Sequence, residues 1–143
     1  MTKQQIAEQT VNIKLEKDAF SNWLGVKLVD LKPGYAAIEM TIRSEMLNGF
    51  HILHGGVTFA FADSALAFAS NSHGRISVVI QANISFPAPV FDCDVLTAVA
   101  EEISLTNKIG VYDITITKQD NTPVGYFRGT VYRKEKKYLD HHK

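Results

Sequence analysis

The segment 57–70, VTFAFADSALAFAS, limits the possible fold most strongly. It has many alanines, no helix-breaking residue, and a length of about four helical turns. Apolar residues occur on nearly every side of such a helix, so no polar face is left to meet water. Asn71, His73 and Gly74 then mark its end. We therefore predict a central helix that is buried by other elements.

Strand-like runs lie on both sides of this helix. Residues 24–31 and 35–42 are separated by Lys32-Pro33-Gly34, which favours a turn, and they predict a hairpin. After the helix, four runs combine β-branched or aromatic enrichment with partial alternation: ISVVIQANISF, DVLTAVAEEI, IGVYDITITK and PVGYFRGTVYR. The pattern predicts a mostly antiparallel sheet in which strands pair with their neighbours in sequence.

These elements predict an α+β fold, an antiparallel sheet of about six strands wrapped around one long central apolar helix. A flat sheet could not cover that helix on enough sides. The 143 residues suffice for one domain with a core and are too few for two. We expect a single domain over residues 1–143, with an amphipathic helical cover at 1–22 and a solvated tail at 134–143.

Charge and composition exclude several classes of partner. Lys plus Arg and Asp plus Glu both number 15, so no net field attracts nucleic acid or an anionic membrane. The amino terminus has no apolar signal-peptide region, and no stretch is long enough to span a bilayer. Cys93 is the only cysteine, which excludes an intrachain disulfide. We expect a cytoplasmic protein that binds neither nucleic acid nor membrane.

Asp63 lies in the middle of the predicted apolar helix. Burying a carboxylate is costly unless it is hydrogen-bonded or neutralised, and such groups concentrate at functional sites. One interpretation is a structural Asp satisfied by Ser64 or by a strand amide. The other is a catalytic acid.

The start of the helix favours catalysis. Gly55 and Gly56 follow His54 where the first backbone N–H groups lack partners within the helix, and glycine lets a ligand approach the main chain. These donors, with the positive end of the helix dipole, are suited to a developing oxyanion. A Gly-Gly pair alone would indicate only a tight loop, but here it precedes a buried acid by two turns.

Spacing restricts how the two groups act. Gly55 and Asp63 are eight residues apart, about 12 Å along one helix. A thioester carbonyl cannot reach both, because an attacking group lies about 3–3.5 Å from the carbon. If both serve one reaction, they come from different chains, and antiparallel helices about a two-fold axis would bring them together.

The residues present suit thioesters. A thiolate, whose conjugate thiol has a pKa of about 8.5, leaves without a strong general acid, so one carboxylate and an oxyanion hole suffice. The sequence contains no Gly-x-Ser-x-Gly elbow, metal-ligand cluster or phosphate-binding glycine loop. We therefore expect neither a metal nor a cofactor.

The motifs MLNGFHILHGG, FADSALAFASNS, GVYDI and FRG resemble the hotdog thioesterases of the phenylacetic acid degradation (PaaI) type, and the resemblance covers nearly the whole chain. It implies a hotdog fold and hydrolysis of acyl-CoA thioesters, aryl ones such as hydroxyphenylacetyl-CoA in particular. It also implies a homo-oligomer, a tetramer of two dimers, with active sites shared between subunits.

The same resemblance assigns residue roles. It implies that the Gly55 N–H polarises the thioester carbonyl, and that Asp63 of the partner subunit is the nucleophile or the base that activates water. Asn48 and His54 would orient the thioester or the water. As structural alternatives, Asn48 makes an Asn-Gly turn and His54 caps the helix.

Three other functions stay open on the sequence. A non-catalytic acyl-CoA-binding module could dispense with Asp63. A hydratase or dehydratase of hydroxyacyl thioesters would need a histidine as general acid or base, for which His54 is the candidate. A thioesterase for substrates like 1,4-dihydroxy-2-naphthoyl-CoA would use a similar Gly-Gly and acid pattern.

Overall fold

The central helix, α3 (Gly55–Asn71), lies against an antiparallel sheet of six strands in the computed structural model, which describes residues 1–141. The strands are β1 (Lys27–Lys32), β2 (Tyr35–Thr41), β3 (Arg75–Ser85), β4 (Val95–Leu105), β5 (Ile109–Thr117) and β6 (Pro123–Lys137). A short 3₁₀ turn, Ser44–Met46, follows β2. The predicted fold class, the hairpin and the four later strands are confirmed.

The sheet wraps around α3. The helix packs against each strand from β2 to β6. Five strands spaced about 4.8 Å apart span about 19 Å, wider than a helix of about 10–12 Å, so only a curled sheet brings them all into contact. The buried core lies between this concave face and the helix.

The strand order departs from the predicted pairing of sequence neighbours. The order is β1-β2-β4-β5-β6-β3, so β2 pairs with β4, and β3 crosses to the far edge beside β6. The reason is α3, which separates β2 from β3 in the chain and must cross the sheet between them. As a result β3 is an edge strand.

The ends of the chain also differ from expectation. The N-terminal segment forms two helices, α1 (Lys3–Lys17) and α2 (Ala19–Leu24), instead of one, because Asp18 ends α1 and caps α2.

At the other end β6 continues to Lys137, and a short helix α4 (Tyr138–His141) follows. The first residues of the expected tail are thus strand, although their side chains are exposed. The last residues of that tail, 142–143, lie outside the described part of the chain. Within residues 1–141, none of the helices combines the length and apolar character needed to cross a bilayer.

Gly129 of β6 allows α3 to approach the sheet closely. A Cβ added there would lie 2.6 Å from Leu66 Cδ2 and 3.0 Å from Phe127 Cε1. We expect Gly129→Ala to lower the free energy of unfolding by about 1–3 kcal/mol, because a packed core cannot accept the extra carbon without displacing Leu66.

The matched control is Gly49→Ala, since an added Cβ there meets no heavy atom within 4 Å. Urea denaturation of both variants measures the difference. Equal stability losses in the two variants would contradict this account of the contact.

Candidate active site

The first turn of α3 presents one open backbone donor. His54 is the N-cap, and its Nδ1 accepts the Gly56 N–H at 2.8 Å, while the Val57 N–H donates to the His54 carbonyl at 2.9 Å. Within residues 1–141, the Gly55 N–H has no hydrogen-bond acceptor. The helix dipole adds positive potential at this point. Gly55 therefore has the free donor that an anionic oxygen requires.

His54 adopts the capping role that the sequence left as an alternative. Because Nδ1 accepts a hydrogen bond, the neutral imidazole carries its proton on Nε2. The side chain is exposed at the helix start, so that Nε2–H can reach a ligand placed there. Capping and ligand contact use different ring nitrogens and are compatible.

Asn48 makes the Asn-Gly turn. Its Oδ1 accepts the Phe50 N–H at 2.9 Å, and its own N–H donates to the Ile52 carbonyl at 2.8 Å. Among the described residues, the Nδ2 amide group has no acceptor. The turn thus fixes the carboxamide through its oxygen and leaves its two N–H donors available.

Asn48 and Gly55 line the same cavity, of about 400 Å³. Its other walls are mostly apolar and come from the loop before α3, from the helix itself, from the segment after β3 and from β6: Ile52, Leu53, Thr58, Phe86, Pro87, Ala88, Pro89, Val90 and Val124. A Cβ on Gly55 would lie 3.3 Å from Phe86 Cζ, so glycine leaves room for this ring. The cavity can hold an apolar acyl group next to an open amide.

A larger cavity, of about 660 Å³, lies at the other end of α3 between α1 and α4. Neither Gly55 nor Asp63 lines it. The chemistry therefore points to the smaller cavity.

Asp63 lies two turns into α3, half-buried and away from that cavity. Burial raises the pKa of its carboxyl group, the nearby Lys14 lowers it, and Asp18 raises it. No described residue donates a hydrogen bond to the carboxylate, and the Ser64 hydroxyl is engaged with Ser21 instead. The structural interpretation, an Asp satisfied by Ser64 or a strand amide, is thus not what the structure has.

Asp63 lines a separate narrow slot of about 70 Å³, with Leu66, Ala67, Ser70, Ser77, Val79 and Val131. Within one chain, the open amide and the acid therefore belong to different cavities. The structure brings Asn48 and Gly55 to one cavity, places His54 at the helix start outside the residues that line it, and leaves Asp63 apart.

Three cations at loop or strand ends, Arg75, Lys108 and Arg128, do not line the cavity. Arg128 forms a two-point ion pair with Asp113 at 2.6 and 2.7 Å. Arg75 donates to backbone carbonyls of β6 and to Asn107. Lys108 is exposed in the turn before β5.

Comparisons with known proteins show which family the chain belongs to. Residues 50–124 match the thioesterase superfamily model. The acyl-coenzyme A thioesterase PaaI of Escherichia coli is 39% identical over 127 residues, covering 89% of this chain and 91% of that protein.

Solved structures give the same result. The E. coli PaaI protein from the phenylacetic acid degradation operon superposes with a TM-score of 0.93 at 36% identity, over 95% of this chain and 99% of that one. A point mutant of the phenylacetic acid degradation protein PaaI from Thermus thermophilus gives 0.77 at 31% identity, over 80% and 98%. The fold, the open amide and these similarities together lead to one conclusion: the chain belongs to the thioesterase superfamily and is a thioester hydrolase with the hotdog fold.

Proposed function

We propose that this protein hydrolyses acyl-CoA thioesters to the free acid and CoA, and that it prefers aryl acyl groups such as hydroxyphenylacetyl. The observation that carries the proposal is the open Gly55 N–H beside a cavity whose lining residues are mainly of apolar type. The similarity to an acyl-coenzyme A thioesterase supports the CoA ester as substrate. We place the activity in the cytoplasm, where CoA esters are used.

In the proposed reaction the substrate carbonyl oxygen accepts the Gly55 N–H. Attack on the carbonyl carbon moves negative charge onto that oxygen, where the donor and the helix dipole stabilise it. Asp63 either attacks directly, forming an anhydride that water then opens, or removes a proton from the attacking water. In both routes the C–S bond breaks and CoA leaves as the thiolate. In this proposal Asn48 Nδ2 and His54 Nε2 would orient the carbonyl or the water.

The proposed active site needs two copies of the chain. Gly55 and Asp63 are eight residues apart on one helix, about 12 Å, so the acid that serves a given amide comes from a partner subunit. A two-fold axis between antiparallel α3 helices would form two such sites.

Two surfaces support a dimer. On α3, one stripe of residues is not buried by its own chain: Gly56, Phe59, Ala60, Asp63 and Ala67. On the edge strand β3, Val78, Val79 and Ile80 are 41%, 46% and 58% exposed. An apolar edge strand favours pairing with another chain, and the apolar stripe on the helix needs a cover. Two such dimers would form the tetramer that we propose.

A panel of CoA esters tests the proposed substrate class by release of free thiol. We expect turnover of phenylacetyl and hydroxyphenylacetyl esters with higher kcat/KM than medium-chain acyl esters, because the cavity walls include Phe86 and proline rings. A 1,4-dihydroxy-2-naphthoyl ester and a hydroxyacyl ester complete the panel.

Each alternative has its own signature in this panel. Saturable binding without thiol release would indicate a non-catalytic module. An unsaturated product with CoA still attached would indicate a hydratase or dehydratase. Fastest turnover of the naphthoyl ester would reassign the acyl group.

A further inference from the structure

Thr58 places a hydroxyl group in the buried floor of the cavity that Gly55 lines. Among the described residues, four that line this cavity are almost fully buried, and they form its floor: Leu53, Thr58, Val90 and Val124. The other lining residues are half-buried or exposed and form its rim, Gly55 among them. Three of the four floor residues are aliphatic, so the Thr58 hydroxyl is a polar group in otherwise apolar surroundings.

This hydroxyl is open to the cavity and has no hydrogen-bond partner. Within residues 1–141, no hydrogen bond involves Thr58 Oγ1. Two other side-chain atoms of the described residues lack a partner and are enclosed by protein, Thr10 Oγ1 and Arg133 Nε, whereas Thr58 Oγ1 is not enclosed. Because Thr58 as a whole is only 3% exposed and lines the cavity, the space that its hydroxyl meets is the cavity.

Thr58 lies one helical turn from the open amide. It follows Gly55 by three residues on α3, about 4.5 Å along the axis, and residues three apart share one face of a helix. Its methyl group packs toward β6, since a Cβ on Gly125 would lie 3.4 Å from Thr58 Cγ2. An acyl group that enters the cavity from a carbonyl held at Gly55 therefore passes beside the Thr58 hydroxyl.

An unpartnered hydroxyl in an apolar floor favours one kind of acyl group. A purely apolar group would displace water from Thr58 and leave its hydroxyl without a hydrogen bond, which costs free energy. A hydroxyl on the acyl group would pair with Oγ1, which can both donate and accept. None of the described residues that line the cavity is charged, so an ionised substituent would lose its hydration without gaining a counter-ion. The floor thus suits a neutral hydroxyl substituent.

We infer that Thr58 is a specificity-determining residue, whose hydroxyl binds a hydroxyl substituent on the aryl ring of the acyl group. The protein would thereby favour hydroxyphenylacetyl over phenylacetyl thioesters. This inference rests on the proposed function, which puts the acyl group in this cavity, and it names the side chain that recognises the substituent. The Gly55 N–H serves the carbonyl of every thioester alike, whereas Thr58 distinguishes one acyl group from another.

The ratio of kcat/KM for a hydroxyphenylacetyl ester of CoA to kcat/KM for the phenylacetyl ester tests the inference. Thiol release from the 2-, 3- and 4-hydroxy isomers gives three such ratios, and at least one should exceed one in the wild-type protein. Thr58→Val keeps the shape of the side chain and removes its hydroxyl. It should lower that ratio about tenfold, because the substrate hydroxyl loses its partner while the unsubstituted ring binds better. Thr58→Ser keeps the hydroxyl and should keep the preference.

Thr10→Val is the matched control. Thr10 is fully buried in α1, its hydroxyl also lacks a partner among the described residues, and it does not line the cavity. The same substitution there should leave the ratio at its wild-type value. A fall of equal size in Thr10→Val and Thr58→Val would overturn the inference. So would a wild-type protein that prefers the phenylacetyl ester to all three hydroxylated isomers, a result that needs no variant to fold.

Binding of analogues that cannot be hydrolysed separates this inference from the proposed function. The probes are ketone analogues of phenylacetyl-CoA and of the hydroxyphenylacetyl-CoA isomers, with a methylene group in place of the sulfur, titrated by calorimetry. The wild-type protein should bind a hydroxylated analogue more tightly than the unsubstituted one, and Thr58→Val should remove that difference. This result in a protein that hydrolyses no CoA ester would refute the proposed function alone. Hydrolysis of the esters at ratios that do not depend on Thr58 would refute the inference alone.

Discussion

Replacing Asp63 with Asn is expected to lower kcat/KM for CoA esters by about 10²–10⁴-fold. Asn has nearly the same shape and can neither attack a carbonyl nor accept a proton from water. Steady-state thiol release at neutral pH measures the loss. Asp92→Asn, in an exposed turn, removes the same charge and should retain wild-type activity. Full activity in Asp63→Asn would exclude this carboxylate from the reaction.

The same substitution should stabilise the fold at neutral pH. Burial raises the pKa of Asp63 above its value in the unfolded chain, so the folded state binds this proton more tightly. Above the folded pKa the ionised carboxylate opposes folding, and this penalty disappears as pH falls through the folded pKa. The gain in Asp63→Asn should therefore be largest at neutral pH and fade under acid conditions. Thermal denaturation of both proteins across that range measures it.

Most of the fold could be predicted because the strongest local sequence patterns favour the same helix and strands that the tertiary contacts stabilise. The run 57–70 is apolar on nearly all sides, and only an enclosing sheet can bury it. The extension of β6 to Lys137 had no such signal. Its residues KEKK are charged and exposed, and they are strand because Lys137 pairs with Arg75 on β3, a contact that local sequence does not reveal.

The break between α1 and α2 has a sequence signal, Asp18, that hydrophobic periodicity alone does not detect. Asp18 interrupts a run of helix-compatible residues, and its carboxylate bonds to the Ser21 N–H in the manner of an N-cap. Only the structure shows that Ser21 then meets Ser64 on α3.

The candidate site could also be predicted only in part. Gly55 and Asp63 could be singled out as candidates because each is chemically unusual at its position, one as a glycine at a helix start and the other as an acid in an apolar helix. Thr58, Phe86 and Val124, which line the cavity with Gly55, were missed. Each of these three residues is of a type that is common at its position, so the sequence gives no signal for it. They come together only because the segment after β3 folds over the start of α3.

Gly55→Pro offers a way to remove the oxyanion donor alone. Gly55 is the first residue of α3, a position that accepts proline because its N–H has no partner in the helix. His54 before it is extended, at φ −62° and ψ 130°, as a residue preceding proline must be. We expect kcat to fall about 10²–10³-fold. Gly55→Ala is the control, since it keeps the N–H and brings the same Cβ toward Phe86.

Mixing the two inactive variants tests whether the site is shared. Consider a mixed dimer of one Asp63→Asn chain and one Gly55→Pro chain, in which each site takes its amide and its acid from different chains. One site then combines the intact Gly55 with the intact Asp63, and the other site lacks both groups. Random reassembly after mild unfolding should therefore restore about a quarter of wild-type activity, since half of the dimers are mixed and each has one of two sites intact.

A site formed within one chain would give a different result in this mixture. If amide and acid of one chain served the same reaction, every site in the mixture would lack one of them, and activity would stay at the level of the parents. Native mass spectrometry of the mixture establishes that mixed oligomers have formed. If mixed oligomers form and activity does not recover, both groups would have to come from one helix. The separation of about 12 Å does not permit that for a single carbonyl. The proposed roles of Gly55 and Asp63 could not then both be correct.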